Sequence, residues 1–143
     1  MKYLGIDYGE RNVGIAVSDE DGLLAFPKIV LDNDKNLFEK IKEIIKEEKI
    51  ESVVVGESVN FSGEPNLIMK RIVPFREKLE KELRMKIHWQ KELFTSAEAD
   101  QIQGSPLRNV RKGERKEKSV NLKKNDASAA ALILRSYLDK IKN

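Results

Sequence analysis

Met1-Lys-Tyr-Leu-Gly-Ile-Asp-Tyr-Gly-Glu-Arg-Asn-Val-Gly-Ile-Ala-Val-Ser18 opens the chain, and its reading decides the rest. Tyr3, Leu4 and Ile6 have the character of a buried strand. A carboxylate, Asp7, then stands where a strand core should be apolar. Aspartate disfavours strand structure, and an unpaired buried charge costs several kcal/mol, roughly, after relaxation. Something must offset that. Asp7 is either a metal ligand at a strand end or the cap of a hairpin turn with Gly9. This segment alone does not separate the two.

The whole chain has 143 residues, which suggests one domain spanning 1–143 with enough length for a core. Its absence of cysteine excludes disulfides, thiolate metal sites and a cysteine nucleophile. One histidine, His88, excludes any mechanism that needs two. Asp7 and Glu10 stand too early for a signal peptide, and no apolar run is long enough to span a bilayer. A cytoplasmic protein without membrane contact is expected.

Net charge is only +3, but it is unevenly spread. Between Gly104 and Asn125, eight basic residues face two acids, a local +6 that leaves −3 for the remainder. Arg108, Arg111, Lys112, Arg115 and Lys116 form the centre of this segment. Such concentration favours an anionic partner. The segment contains no aromatic residue, so it predicts phosphate contacts and salt dependence rather than base stacking. A solvated excursion is the alternative. Arg11 is a phosphate contact beside the site or a surface charge.

Along the chain, Lys2–Tyr8 and Asn12–Ser18 read as strands one and two, joined by a tight turn at Gly9-Glu10. Asp21-Gly22 marks a second hairpin. Leu23–Val30 reads as strand three, with Pro27 pushing it to a sheet edge or a bulge. Asp32-Asn33-Asp34 is a helix-start cluster. Leu37, Phe38, Ile41, Ile44 and Ile45 then have helical spacing. Ser52–Gly56 is an apolar strand buried on both faces, followed by a polar loop over Glu57–Pro65.

Leu67–Leu83 is helical by period, with Pro74 predicting a kink or a late start. Lys86–Gln90 alternates as a last strand; Trp89 on it is expected to pack rather than to stack on a base, and neither Trp89 nor His88 is expected to be catalytic. Thr95-Ser-Ala-Glu98 has capping-box spacing. Asp126–Ile141 is the terminal helix. Three antiparallel strands followed by parallel crossovers give an α/β fold, a mixed five-stranded sheet flanked by helices.

Three carboxylates then stand out. Asp7 ends strand one, Glu92 lies just past the last strand, and Asp126 opens the terminal helix. With strand one central, all three can approach one sheet edge. Clustered carboxylates do not all stay ionised without a cation, and oxygen-only ligands suit Mg²⁺ or Mn²⁺. Two such ions can cleave a phosphodiester, with the basic segment holding the nucleic-acid backbone. For Asp126 the alternative is simple helix capping, and for Glu92 an ordinary surface position.

The run Gly5-Ile-Asp-Tyr-Gly-Glu-Arg-Asn-Val-Gly-Ile-Ala-Val-Ser-Asp19 closely resembles the opening of the YqgF (RuvX) family of nucleases and Holliday-junction resolvases. Three further blocks are similar: Val53-Val-Val-Gly56 before Asn60 and Gly63, Glu92-Leu-Phe-Thr-Ser96 with Glu98, and Asp126-Ala-Ser-Ala-Ala-Ala-Leu-Ile-Leu134. They occur in family order across nearly the whole chain. The resemblance implies a ribonuclease H-like fold and a metal-dependent nuclease whose three acids are Asp7, Glu92 and Asp126. It also implies maturation of the 5′ end of the 16S ribosomal RNA precursor, with junction cleavage as a second activity.

The sequence departs from the family twice. The usual Asp-Glu-Arg-Leu-Thr is here Lys91-Glu92-Leu93-Phe94-Thr95, and the usual Leu-Pro after Gly56 is Glu57-Ser58. Glu57 is therefore a fourth metal-site acid or, as loop acids usually are, a solvated one. Two other functions compete with the nuclease. An ATP-binding protein of the actin/sugar-kinase type has a similar first loop but needs a second, similar domain. A nucleic-acid-binding module without catalysis is compatible with the altered flanks of Glu92. The partner is structured RNA or branched DNA, and a monomer or weak homodimer is expected.

Overall fold

The computed structural model describes residues 1–58, 64–92 and 126–142, with positions 92 and 126 described by their backbone alone. Five strands are present: β1 (Tyr3–Tyr8), β2 (Asn12–Ser18), β3 (Ala25–Asp32), β4 (Ser52–Ser58) and β5 (Ile87–Glu92). Three helices accompany them among the described residues: α1 (Leu37–Glu48), α2 (Met69–Leu83) and α3 (Asp126–Lys142). The strands form one sheet in the order β3-β2-β1-β4-β5. β1 is central, as expected. It is antiparallel to β2 and parallel to β4; β2 and β3 are antiparallel, and β4 and β5 parallel.

Strand alternation sorts the sheet's side chains onto two faces. Leu4, Ile6, Val13, Ile15, Val53, Val55 and Ile87 join a core with Leu37, Phe38, Ile41 and Ile44 of α1 and Ile72 and Leu79 of α2. The opposite face carries Ala16 and Val54, covered by Ala130, Ile133, Leu134, Tyr137 and Leu138 of α3. Both faces of β4 are thus covered, which is why its sequence is an unbroken apolar run. Each fully buried Leu, Ile or Val contributes about 1.5–3 kcal/mol.

Several boundaries differ from expectation for local reasons. β3 begins at Ala25 rather than Leu23. The Asp19 carboxylate accepts hydrogen bonds from the Leu23 and Leu24 N–H groups, holding those residues in the turn. Those bonds also hold the Asp19 carboxyl below its ordinary pKa. The strand then runs on to Asp32, which pairs with Asn12. Pro27 sits on an edge strand beside a register shift between Ile15 and Ala16, in keeping with its lack of a ladder donor.

The helix starts and last strands also shift. α1 starts at Leu37, because the Asp34 carboxylate accepts from the Asn36 N–H and is engaged before the helix begins. α2 starts at Met69, two residues after the expected Leu67, and carries Pro74 on its exposed side. β4 extends to Ser58, and β5 runs Ile87–Glu92 rather than Lys86–Gln90, since Glu57 pairs with Lys91 and Ser58 with Glu92. Glu57 is therefore a strand residue, not a loop residue, and Glu92 ends β5 rather than following it. The Thr95–Glu98 helix signal and the basic segment with Arg108, Arg111, Lys112, Arg115 and Lys116 lie outside the described residues. Among the described residues, no helix is long and apolar enough to cross a membrane.

Candidate active site

β1, β4 and β5 are mutually parallel, so their carboxyl ends share one edge of the sheet. Asp7 lies at that end of β1, one residue beyond the Ile6–Val55 pair. It follows Gly5 by two residues, so it belongs to the α3-covered face. On β4 that face is carried by Val54, Gly56 and Ser58. On β5 it is carried by His88, Gln90 and position 92, since His88 pairs with Val54, Gln90 with Gly56 and Glu92 with Ser58. Asp7 and position 92 therefore share a face, with a side-chain-free residue, Gly56, on the strand between them. Glu57 is in phase with Val53 and Val55 and belongs to the opposite face. The sheet keeps it apart from Asp7.

α3 runs antiparallel to β1. Tyr137, near its carboxyl end, has its ring 6.0 Å from that of Tyr3 at the start of β1. A Cβ built on Gly5 would stand 2.8 Å from Leu134 Cβ and 3.0 Å from Ala130 O. Each residue advances about 1.5 Å along a helix and about 3.3 Å along a strand. Asp126 is four helical residues before Ala130, and Asp7 is two strand residues after Gly5. Both intervals span about 6 Å in the same direction. The amino end of α3 and the carboxyl end of β1 are thus brought to one level.

Two asparagines brace the loops at this end. Asn33, between β3 and α1, donates from its side-chain Nδ2 to Gly9 O at 2.7 Å and from its backbone N–H to Arg11 O at 2.8 Å. Asn66, before α2, donates from Nδ2 to Ser58 Oγ at 2.8 Å and from its backbone N–H to Ser58 O at 3.0 Å. The Ser58 N–H in turn points to Met69 Sδ at 3.3 Å. The sequence offered only an Asx residue near a helix start for Asn33, which reads as a cap. For Ser58 it offered only a polar loop, and for Asn66 no signal.

Arg11 is exposed in the β1–β2 turn, close behind Asp7 in sequence. Among the described side chains, which exclude those of Glu92 and Asp126, no three His, Asp or Glu groups gather to hold a metal. His88 packs against Tyr137 at 5.1 Å between centroids. Burial, then the positive charges of Lys86, Arg76 and Lys140, hold its pKa below the ordinary imidazole value. Trp89 packs on the core, with the Arg76 guanidinium 5.0 Å from its ring centroid. Trp89 has the packing role expected of it, and His88 packs as well.

The model of the RuvX Holliday junction resolvase family matches residues 1–140. A protein of Lawsonia intracellularis named "Putative pre-16S rRNA nuclease" is 37% identical over 142 residues, covering 98% of this chain and 94% of its own length. One of the same name from Caldanaerobacter subterraneus is 34% identical over 148 residues, covering 100% and 99%. The solved Holliday junction resolvase of fowlpox virus superposes with a TM-score of 0.54 at 13% identity, over 98% of this chain and 99% of that one. At that identity the likeness is one of fold, and the fold is ribonuclease H-like.

Proposed function

We propose a function from one premise: the chain belongs to the RuvX Holliday junction resolvase family. It is a nuclease, a metal-dependent endonuclease that hydrolyses phosphodiester bonds in the cytoplasm. Its substrate is the 16S ribosomal RNA precursor, cut at the 5′ end; the names of its relatives support this choice. The observation that carries the site assignment is one of phase. Asp7 and position 92 belong to the same sheet face at the same strand ends, and α3 begins at Asp126 on that level.

Three carboxylates brought together repel one another unless a cation intervenes. A donor set made only of oxygens, with no thiolate and no histidine nearby, fits Mg²⁺ or Mn²⁺. Asp7, Glu92 and Asp126 would hold it. Bound there, the metal supplies an activated water and stabilises the leaving oxygen. Arg11 and the basic residues Arg108, Arg111, Lys112, Arg115 and Lys116 would hold the phosphates of the nucleic-acid backbone. A second reading takes the four-way DNA junction as substrate, and the family's own description favours it. Paired nicks then require two symmetric copies of a chain that is otherwise a monomer or weak homodimer.

The test is cleavage in Mn²⁺ and in Mg²⁺ of a 16S precursor leader, a single-stranded RNA and a four-way DNA junction, with Asp7→Asn beside the wild type. Cutting by the wild type alone supports the nuclease and selects its substrate. Equal activity of the two proteins overturns the site assignment. Binding without cutting replaces it with a binding module.

A further inference from the structure

We infer that Asn33 is a positioning residue that presents Arg11 to a substrate phosphate; this rests on the nuclease reading above. The β1–β2 turn is the segment immediately after Asp7, and its ladder closes at the Tyr8–Val13 pair. Residues 9–12 therefore cross from one strand to the next with Glu10 and Arg11 both exposed. An exposed arginine on such a turn samples many directions. Fixing it costs conformational entropy, which weakens any contact it makes unless the fold has already met that cost.

Asn33 meets it. Its side-chain amide donates to the Gly9 carbonyl at 2.7 Å and its backbone N–H donates to the Arg11 carbonyl at 2.8 Å. The two bonds grip the turn on both sides of Glu10. The Gly9 end is also tight from within, because a Cβ there would stand 2.6 Å from Asn12 O. The Asn12–Asp32 pair anchors the far end of the turn to β3, one residue before Asn33. The peptide that carries the Arg11 side chain is thus tied to two neighbouring segments, while the exposed side chain can reach outward. A phosphate diester is the ligand that an arginine on such an anchored turn fits.

The experiment measures binding of a labelled 16S precursor leader RNA and of a labelled four-way DNA junction in chelator, so that no strand is cut. The slope of log affinity against log salt counts phosphate contacts, and losing one lowers it by about 1. Arg11→Ala should lower it by about 1; Asn33→Ala, which removes the bond to Gly9 and keeps the backbone bond to Arg11, should lower it by a measurable part of that, and the double variant by no more than Arg11→Ala alone. Asn33→Leu, which is close in shape, uncharged and without the donor to Gly9, should behave like Asn33→Ala. It guards against a loss caused by poor packing.

A wild-type slope in both Asn33 variants, beside a lowered slope in Arg11→Ala, overturns the inference. So does a double variant that loses twice as much. A wild-type slope in Arg11→Ala also overturns it. That outcome leaves the metal site standing, because cleavage by Asp7→Asn tests the site independently.

Discussion

Gly5 in β1 and Leu134 in α3 stand so close that no other residue type fits between them. A Cβ on Gly5 would lie 2.8 Å from Leu134 Cβ and 3.0 Å from the Ala130 carbonyl. Neither atom is the far end of a flexible side chain, so Gly5→Ala must push the helix off the sheet. Overpacking of this kind costs about 1–3 kcal/mol. The same displacement moves the start of α3 relative to Asp7, so cleavage should fall with stability. Gly56→Ala meets Ile133 Cδ1 at 2.6 Å, a terminal methyl that rotates away more readily. Urea unfolding of both variants should rank Gly5→Ala as the more damaging. The reverse order would mean that α3 is not seated on β1 through this contact.

Asp7→Asn separates metal binding from folding. The substitution keeps the shape of the side chain and removes a charge from the oxygen donor set. Loss of even an outer-shell partner lowers metal affinity or activity by about 10- to 100-fold, so loss of a ligand should cost cleavage at least about 100-fold. A ligand that binds only the folded state raises its stability. Millimolar Mn²⁺ should therefore raise the thermal midpoint of the wild type and leave Asp7→Asn where it was. An equal upward shift in both proteins would place the bound metal elsewhere.

Glu57 provides the matching control. It shares a face with Val53 and Val55, on the other side of the sheet from Asp7. Glu57→Gln should leave cleavage in Mg²⁺ within about two-fold of wild type, with stability within about 0.5 kcal/mol. A loss comparable to that of Asp7→Asn would return Glu57 to the metal site.

How far the sequence reaches is visible at β2 and β4. Asn12–Ser18 was legible to the residue, because apolar alternation and its turn signals are both local. The end of β4 was not, because Glu57 and Ser58 look like loop residues until β5, some thirty positions later, pairs with them through Lys91 and Glu92. The end of α2 at Leu83 was legible from its apolar period, without any glycine to mark it. Lys49 and Arg84 close α1 and α2 with positive φ, a conformation that glycine would have announced. The three candidate acids stand out in the sequence by type and order, and the central place of β1 was expected from the topology. The asparagine braces were not, since a hydrogen bond from Asn33 to Gly9 spans 24 residues and leaves no periodic trace.

Acid should weaken the fold in two windows that have different owners. His88 is half-buried against Tyr137, and burial, then Lys86, Arg76 and Lys140, keeps its folded pKa below 6.5. The unfolded chain takes up this proton near pH 6.5, while the folded one resists it. Stability is therefore complete above the unfolded value, declines as pH falls from there to the folded pKa, and then levels. Glu48 titrates lower. Its carboxylate receives Lys2 Nζ at 2.8 Å and Lys28 Nζ at 3.0 Å, and these bonds hold its pKa below 4.5. Its contribution is present above 4.5 and disappears as pH falls through the folded value. Urea unfolding between about pH 8 and about pH 5 should show the histidine decline in wild type and in Glu48→Gln, and a flatter profile in His88→Gln. An unchanged slope in His88→Gln would assign that decline to another group.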